Sequence, residues 1–177
     1  ARRKASGNLA LACGGASIAG LSGGSSRGPR PRACRQLLHS CEKETFKQKH
    51  LMDSVHPLIG NKNASVFADF CELHKGVAQC VLKKRKCLVS GRAFLNVFGY
   101  SCKNISRYCS QELGHVLENK IGSSSETCEA MLDFVHKFRT PIVIMENVEE
   151  MSKSESSSAN VAYLNRRYRD MGYELVS

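Results

Sequence analysis

An α/β domain with a mostly parallel sheet is predicted from residue 36 onward, on three observations. Short apolar runs alternate with segments of helical period. The runs are nearly continuous in Leu, Ile, Val and Phe, as strands covered on both faces are. Finally, 42% hydrophobic residues in a chain of 177 are enough to bury one core.

The elements follow in order. QLLHSCE reads as a buried strand with Glu42 at its C-terminal tip. KETFKQKHLMDSV has helical spacing, with Phe46, His50 or Leu51, and Val55 on one face, and Pro57 ends it. NASVFADFCEL is a second strand ending near Asp69, and HKGVAQCVLKKRK reads as a basic helical turn or loop. CLVSGRAFLNVFGYSC holds a third apolar run that breaks at Gly99, and the polar stretch 106–125 reads as a loop. SETCEAMLDFVHKF predicts a helix with Ser125 as its N-cap and Cys128, Met131, Leu132, Val135 and Phe138 as its apolar stripe. PIVIMENV is the strongest buried-strand signal in the chain. SKSESSS then reads as a linker, NVAYLNRRYRDMGY as a helix closed by Gly172, and YELVS as the start of a last strand.

Residues 1–35 differ in kind. They hold half of the 14 Gly, mixed with Ser, Arg and Pro, and read as a disordered lead-in that precedes a domain over 36–177. They carry seven Lys/Arg and no acid, so they contribute +7 of the net +10. The remaining 19 Lys/Arg face all 16 Asp/Glu, and the domain itself is only mildly basic. KKRK at 83–86 therefore reads as a solvated charged turn, and Arg166, Arg167 and Arg169 as a solvated helix face. The acid-free, Arg- and Ser-rich lead-in also has the composition of an organelle transit peptide. No run approaches 18 apolar residues, which excludes a membrane-spanning helix from the sequence.

The nine cysteines include no CxxC pair, so no zinc site is expected. An odd count in a chain of this size reads as reduced thiols, most of them small core residues. His39 and His136 read as core or surface histidines rather than ligands. The informative coincidence is that Glu42, Asp69, Cys102 and Glu146 each fall at the end of a separate expected strand. In parallel α/β sheets, ligands bind beyond the carboxyl ends of the strands.

The order of these segments resembles that of the DNA cytosine-C5 methyltransferases. PIVIMENVEEM resembles the family's strand with its Glu-Asn-Val motif, which falls on Glu146. FGYSCKNIS resembles the nucleophile loop, with Cys102 as nucleophile and Ser106 four residues on, although Ser101 stands where proline is usual. HSCEKETFKQ resembles the segment whose acid binds the cofactor ribose, here Glu42, and VFADFCEL the segment whose Asp lies beside the adenine, here Asp69. The resemblance covers residues 36–177. It implies a Rossmann-like fold, incomplete in this chain, with S-adenosylmethionine as cofactor and Glu42, Asp69 and Gly99 on the cofactor side. The family's Gly-rich cofactor loop would have to lie in LALACGGASIAG, at Gly14 and Gly15 or at Gly20.

The implied reaction is methylation of cytosine C5. The Cys102 thiolate adds to C6, Glu146, buried against Ile142–Met145, acts as the acid at N3, and the base is flipped out of the duplex. The resemblance further implies a nucleic-acid partner, DNA ahead of RNA, and a nuclear protein with neither metal nor membrane. Two alternatives stand beside it: an RNA cytosine methyltransferase, and an inactive module that keeps the fold to bind nucleic acid or a partner. Ser101 and the absent C-terminal segments of the family favour the inactive module.

Overall fold

The structure, a computed structural model, describes residues 17–20, 37–58, 64–91, 93–105, 115–147 and 155–176. The strands are β1 (Ser17–Gly20), β2 (Leu37–Cys41), β3 (Ser65–Phe67), β4 (Val77–Cys80), β5 (Arg85–Leu88), β6 (Leu95–Gly99) and β7 (Ile142–Glu146). Helix α1 (Thr45–His50) runs on through a π-type turn at Leu51–Val55 and a last turn at His56–Leu58. Helix α2 is Gly122–Phe138 and α3 is Glu155–Asp170. A 3₁₀ segment, Phe70–Lys75, links β3 to β4.

The seven strands form one mixed sheet in the order β5-β4-β3-β2-β1-β6-β7. β2 pairs in parallel with β3, and β6 with β7, whereas β1 is antiparallel to both of its neighbours and β4 to both of its own. Five strands therefore point one way, with only β1 and β4 reversed. The protein is thus α/β with strands mostly in one direction.

Helices cover both faces. Successive side chains of a strand point to opposite faces, and β2 shows it: the His39 ring meets Phe134 of α2 at 6.2 Å, while Ser40 Oγ lies 3.0 Å from Nε2 of His56, which follows α1. On the α2 face, Phe70, Phe98, Phe134 and Phe138 make a chain of edge and tilted ring contacts 4.6–5.7 Å apart. The expected α2 stripe is present, with Cys128, Met131, Leu132 and Val135 buried and Phe138 half-buried. α3 lies beside α2 and adds Tyr163, Leu164 and Tyr168 to the same core. Gly172, at φ +84°, ends α3, where Tyr173 N–H donates to the Tyr168 carbonyl at 2.9 Å.

Several expectations are corrected. Ser17–Gly20, placed in a lead-in outside the fold, is a central strand that joins β2 to β6. HKGVAQCVLKKRK is not a helical turn or loop but most of a hairpin, because Ala78 and Cys80 alternate with exposed Val77 and Gln79 at period two. Of the face expected for the first helix, Leu51 is buried but Phe46 is 81% exposed, and Gln48 is buried in its stead. Pro57 sits inside the last helical turn rather than stopping it. β7 is an edge strand, with Ile142 and Ile144 near half-exposed, so its run of β-branched residues does not mean burial on both faces. α2 starts at Gly122, three residues before the expected cap. α3 begins within the expected linker, and residues 173–176 are not a strand.

Candidate functional site

Because β2, β3, β6 and β7 point the same way, their C-terminal ends share one edge of the sheet. Glu42 directly follows β2, Asp69 lies two residues past β3, Cys102 lies three residues past Gly99 of β6, and Glu146 ends β7. The structure therefore brings all four to this edge. The register sets Gly99 beside Glu146. One inter-strand step plus three residues keeps the Cα atoms of Cys102 and Glu146 within roughly 15 Å.

At the β2–β3 end, Glu42 is 2% exposed. Its N–H donates to the Phe67 carbonyl at 3.0 Å, its carbonyl accepts from Gln48 Nε2 at 2.7 Å, and its Oε1 accepts from Glu44 N–H at 3.0 Å. Asp69 is exposed, and its Oδ1 accepts from Cys71 N–H at 2.9 Å, capping the 3₁₀ segment. Each acid thus accepts a backbone N–H within two residues of itself. Two thiols sense these carboxylates. Burial raises the Cys41 pKa, and Asp69 and Glu42 raise it further. Burial also raises Cys71, as do the charge and hydrogen bond of Asp69 and the charge of Glu126, while Lys43 opposes the shift. Glu126, on the early turns of α2, is thus a third acid at this edge; sequence reasoning missed it because it carries no motif.

At the β6–β7 end, the segment 101–105 is fastened to the start of α2. Ser101 N–H donates to Thr127 Oγ1 at 3.1 Å, and Ser101 Oγ lies 3.3 Å from Ser123 Oγ. Asn104 N–H donates to Ser124 Oγ at 2.9 Å, and Asn104 Oδ1 accepts from Ser124 N–H at 3.3 Å. Asn104 therefore caps α2 from outside the helix, in the role expected of Ser125. Gly122, at φ +64°, permits the approach, since a Cβ there would stand 2.6 Å from Asn104 Oδ1. Cys102 itself is half-buried, and its carbonyl accepts from Ile105 N–H at 2.9 Å, which closes a turn under the thiol. Asn147, next to Glu146, donates from Nδ2 to the Tyr100 carbonyl at 3.4 Å and so ties the β7 end to the same loop.

No family model, curated protein or solved structure matches this chain. The placement of these residues therefore stands on this chain alone.

Three expectations do not hold as drawn. Glu146 is exposed rather than buried, and among the described residues β7 has a neighbour on one side only. Gly20 cannot belong to a cofactor loop at this edge. β1 is antiparallel, so Ser17 is the end that meets Cys41 and Phe98, while Gly20 pairs with Leu37 at the far edge. His39, expected to be satisfied if buried, has both ring nitrogens without a partner. Ser106, Gly14 and Gly15 lie outside the described residues. A surface groove of about 360 Å³ on α3, lined by Ala162, Asn165, Arg166, Arg169 and Asp170, includes none of the four edge residues. Among the described residues no cluster of His, Cys, Asp and Glu could hold a metal ion, and no helix is long and apolar enough to cross a membrane.

Proposed function

We propose that this chain carries the catalytic half of an S-adenosylmethionine-dependent methyltransferase acting on C5 of cytosine in DNA. The observation that carries the reading is the joining of two resembling segments across the β6–β7 register. Gly99 pairs with Glu146, and Asn147 holds the Tyr100 carbonyl two residues before Cys102. Two motifs 44 residues apart in the chain thereby face one another across adjacent strand ends. The spatial order β3-β2-β1-β6-β7 also supports a Rossmann-like arrangement, apart from the reversed β1.

The chemistry follows from the residues. The Cys102 thiolate adds to C6, and the displaced electron pair moves toward N3, where Glu146 donates a hydrogen bond or a proton. C5 then becomes the nucleophile that accepts the methyl group. Loss of the C5 proton expels the thiolate and restores the ring. S-adenosylmethionine supplies the methyl group when bound. Glu42 and Asp69 offer carboxylate oxygens to its ribose hydroxyls and adenine amine, and their placement at adjacent strand ends fits that pair of donors. Duplex DNA must release the base by flipping it out.

The exposed Glu146 and the hydrogen bond from Ser101 N–H, which a proline could not make, favour a second reading: a module that keeps the fold without turnover. One experiment separates the two. An oligonucleotide carrying 5-fluorocytosine blocks the final proton loss and so traps the thiol adduct. Presented with S-adenosylmethionine, it is expected to give a denaturation-resistant complex that Cys102→Ser abolishes. An adduct that survives Cys102→Ser, or maps to Cys71, assigns the nucleophile elsewhere. Absence of any adduct, with cofactor binding retained, selects the inactive module.

A further inference from the structure

The hairpin of β4 and β5 lies at the opposite end of the sheet from β7 and takes no part in the site. Its register pairs Val77 with Leu88 and Gln79 with Lys86 on the outward face, while Ala78 and Cys80 are turned into the core. The turn and the start of β5 carry Lys83, Lys84, Arg85 and Lys86 in succession, all exposed. Lys83 hydrogen-bonds Ser65 Oγ at 3.2 Å, and none of the four has a carboxylate partner among the described residues. No Asp or Glu occurs anywhere from residue 73 to residue 111, a stretch with eight Lys/Arg. Glu72, the acid at its border, already pairs with Lys75. A solvated face normally mixes both signs, so four adjacent cations without a counter-charge repel one another and gain only from an external polyanion.

Within the turn, Lys84 adopts φ +50°, the left-handed region that glycine or asparagine enters at least cost.

We infer that the β4–β5 hairpin is a docking ribbon for the phosphate backbone of a nucleic-acid duplex. Consecutive Lys/Arg in the turn and at the start of β5 supply the sequence-independent phosphate contacts of such docking. An anionic lipid surface would also attract the cations. However, the exposed apolar companions here are the cross-strand pair Val77 and Leu88 and the lone Leu82 of the turn, instead of the continuous apolar face that inserts into a bilayer. The choice of nucleic acid as the polyanion rests on the proposed methyl transfer. The ribbon itself needs no chemistry at Cys102.

The test is fluorescence anisotropy of a labelled 20-base-pair duplex against the full chain, across a salt series. Replacing Lys84, Arg85 and Lys86 together by Gln is expected to weaken binding at least tenfold. It should also flatten the dependence of log K on log salt by about 2–3, at roughly 0.9 per lost duplex phosphate contact. The single variant Lys84→Gly guards against a folding artefact. It relieves the strained turn, so it should melt no lower than the parent while still losing affinity. Arg166→Gln with Arg169→Gln on α3 should leave the slope unchanged. Equal affinity and slope in the triple variant overturn the inference, as does an equal loss in the α3 variant. Binding to phosphatidylserine vesicles but not to duplex also overturns it, in favour of a lipid surface. Loss of the 5-fluorocytosine adduct with duplex binding intact refutes the methyltransferase reading alone.

Discussion

Single residues explain how the Cys102 loop is held, and they can be tested one at a time. Gly122 does two jobs at once: it takes a left-handed φ, and it leaves room for Asn104 Oδ1 to cap α2. Gly122→Ala is expected to cost about 2 kcal/mol, from left-handed strain plus displacement of the cap. Gly172→Ala is the natural control, because its φ is also positive but nothing lies within 4 Å, so it should cost only the backbone part, about 1 kcal/mol. Equal losses in denaturant melts would mean that the Asn104 contact contributes nothing. His39 is a different kind of residue, a fully buried imidazole against Phe67 and Phe134 with no hydrogen-bond partner. Burial holds its pKa down at about 3, below the usual histidine value of 6.5, so only the unfolded chain takes up its proton between those limits. Its contribution to stability is therefore complete above about pH 6.5 and lost as pH falls toward 3, by at most about 1.4 kcal/mol per pH unit. Burial lowers His56 in the same direction. His39→Leu keeps similar volume and should shrink the stability difference between pH 7.5 and pH 4.5, leaving the share that belongs to His56. An unchanged difference in urea melts at the two pH values would refute this assignment.

Secondary elements were legible wherever a single period governed the residues. The α2 stripe from Cys128 to Val135 and the Gly172 stop of α3 follow local rules that tertiary contacts reinforce. The ends of β2, β3, β6 and β7 were also readable, because an acid or a glycine breaks each apolar run. The hairpin of β4 and β5 was not, since its strands are four residues each and its cations crowd the turn and the start of β5. A short basic segment looks alike as loop, helix or edge strand until a partner fixes its period. The exposure of Glu146 was equally invisible, because PIVIMENV has the composition of a central strand and only the sheet order shows that it lies at an edge. Of the candidate site, the four strand-end residues could be placed from sequence. The fastening of Ser101 and Asn104 to Ser123, Ser124 and Thr127 could not, since it joins residues 20 to 26 apart through hydroxyls that carry no pattern.

Among the described residues the sheet ends at two edge strands that are defended differently. The β5 edge carries Arg85 and Lys86, charges that discourage strand addition. The β7 edge presents Ile142 and Ile144, near half-exposed, on a strand that pairs only with β6 among the described residues. That predicts concentration-dependent self-association, which Ile144→Lys should suppress in light scattering without lowering the melting temperature. A variant that associates as strongly as its parent would place the contact elsewhere. The reversed central strand has a consequence of another kind, in time rather than space. β1 pairs with β2 some 20 residues away and with β6 about 80 residues away, and these are the bonds that weld the two halves of the sheet together. During synthesis, β1 and β2 can meet early as an antiparallel pair, while the seam to β6 must wait until Gly99 has been made. Closing so long a loop is slow, and until then the β6 side of Ser17–Ala19 stays unpaired. Of the bonds that β1 makes, those at the seam beneath the Cys102 loop are thus expected to form last, so that loop takes shape after the Glu42 end of the site.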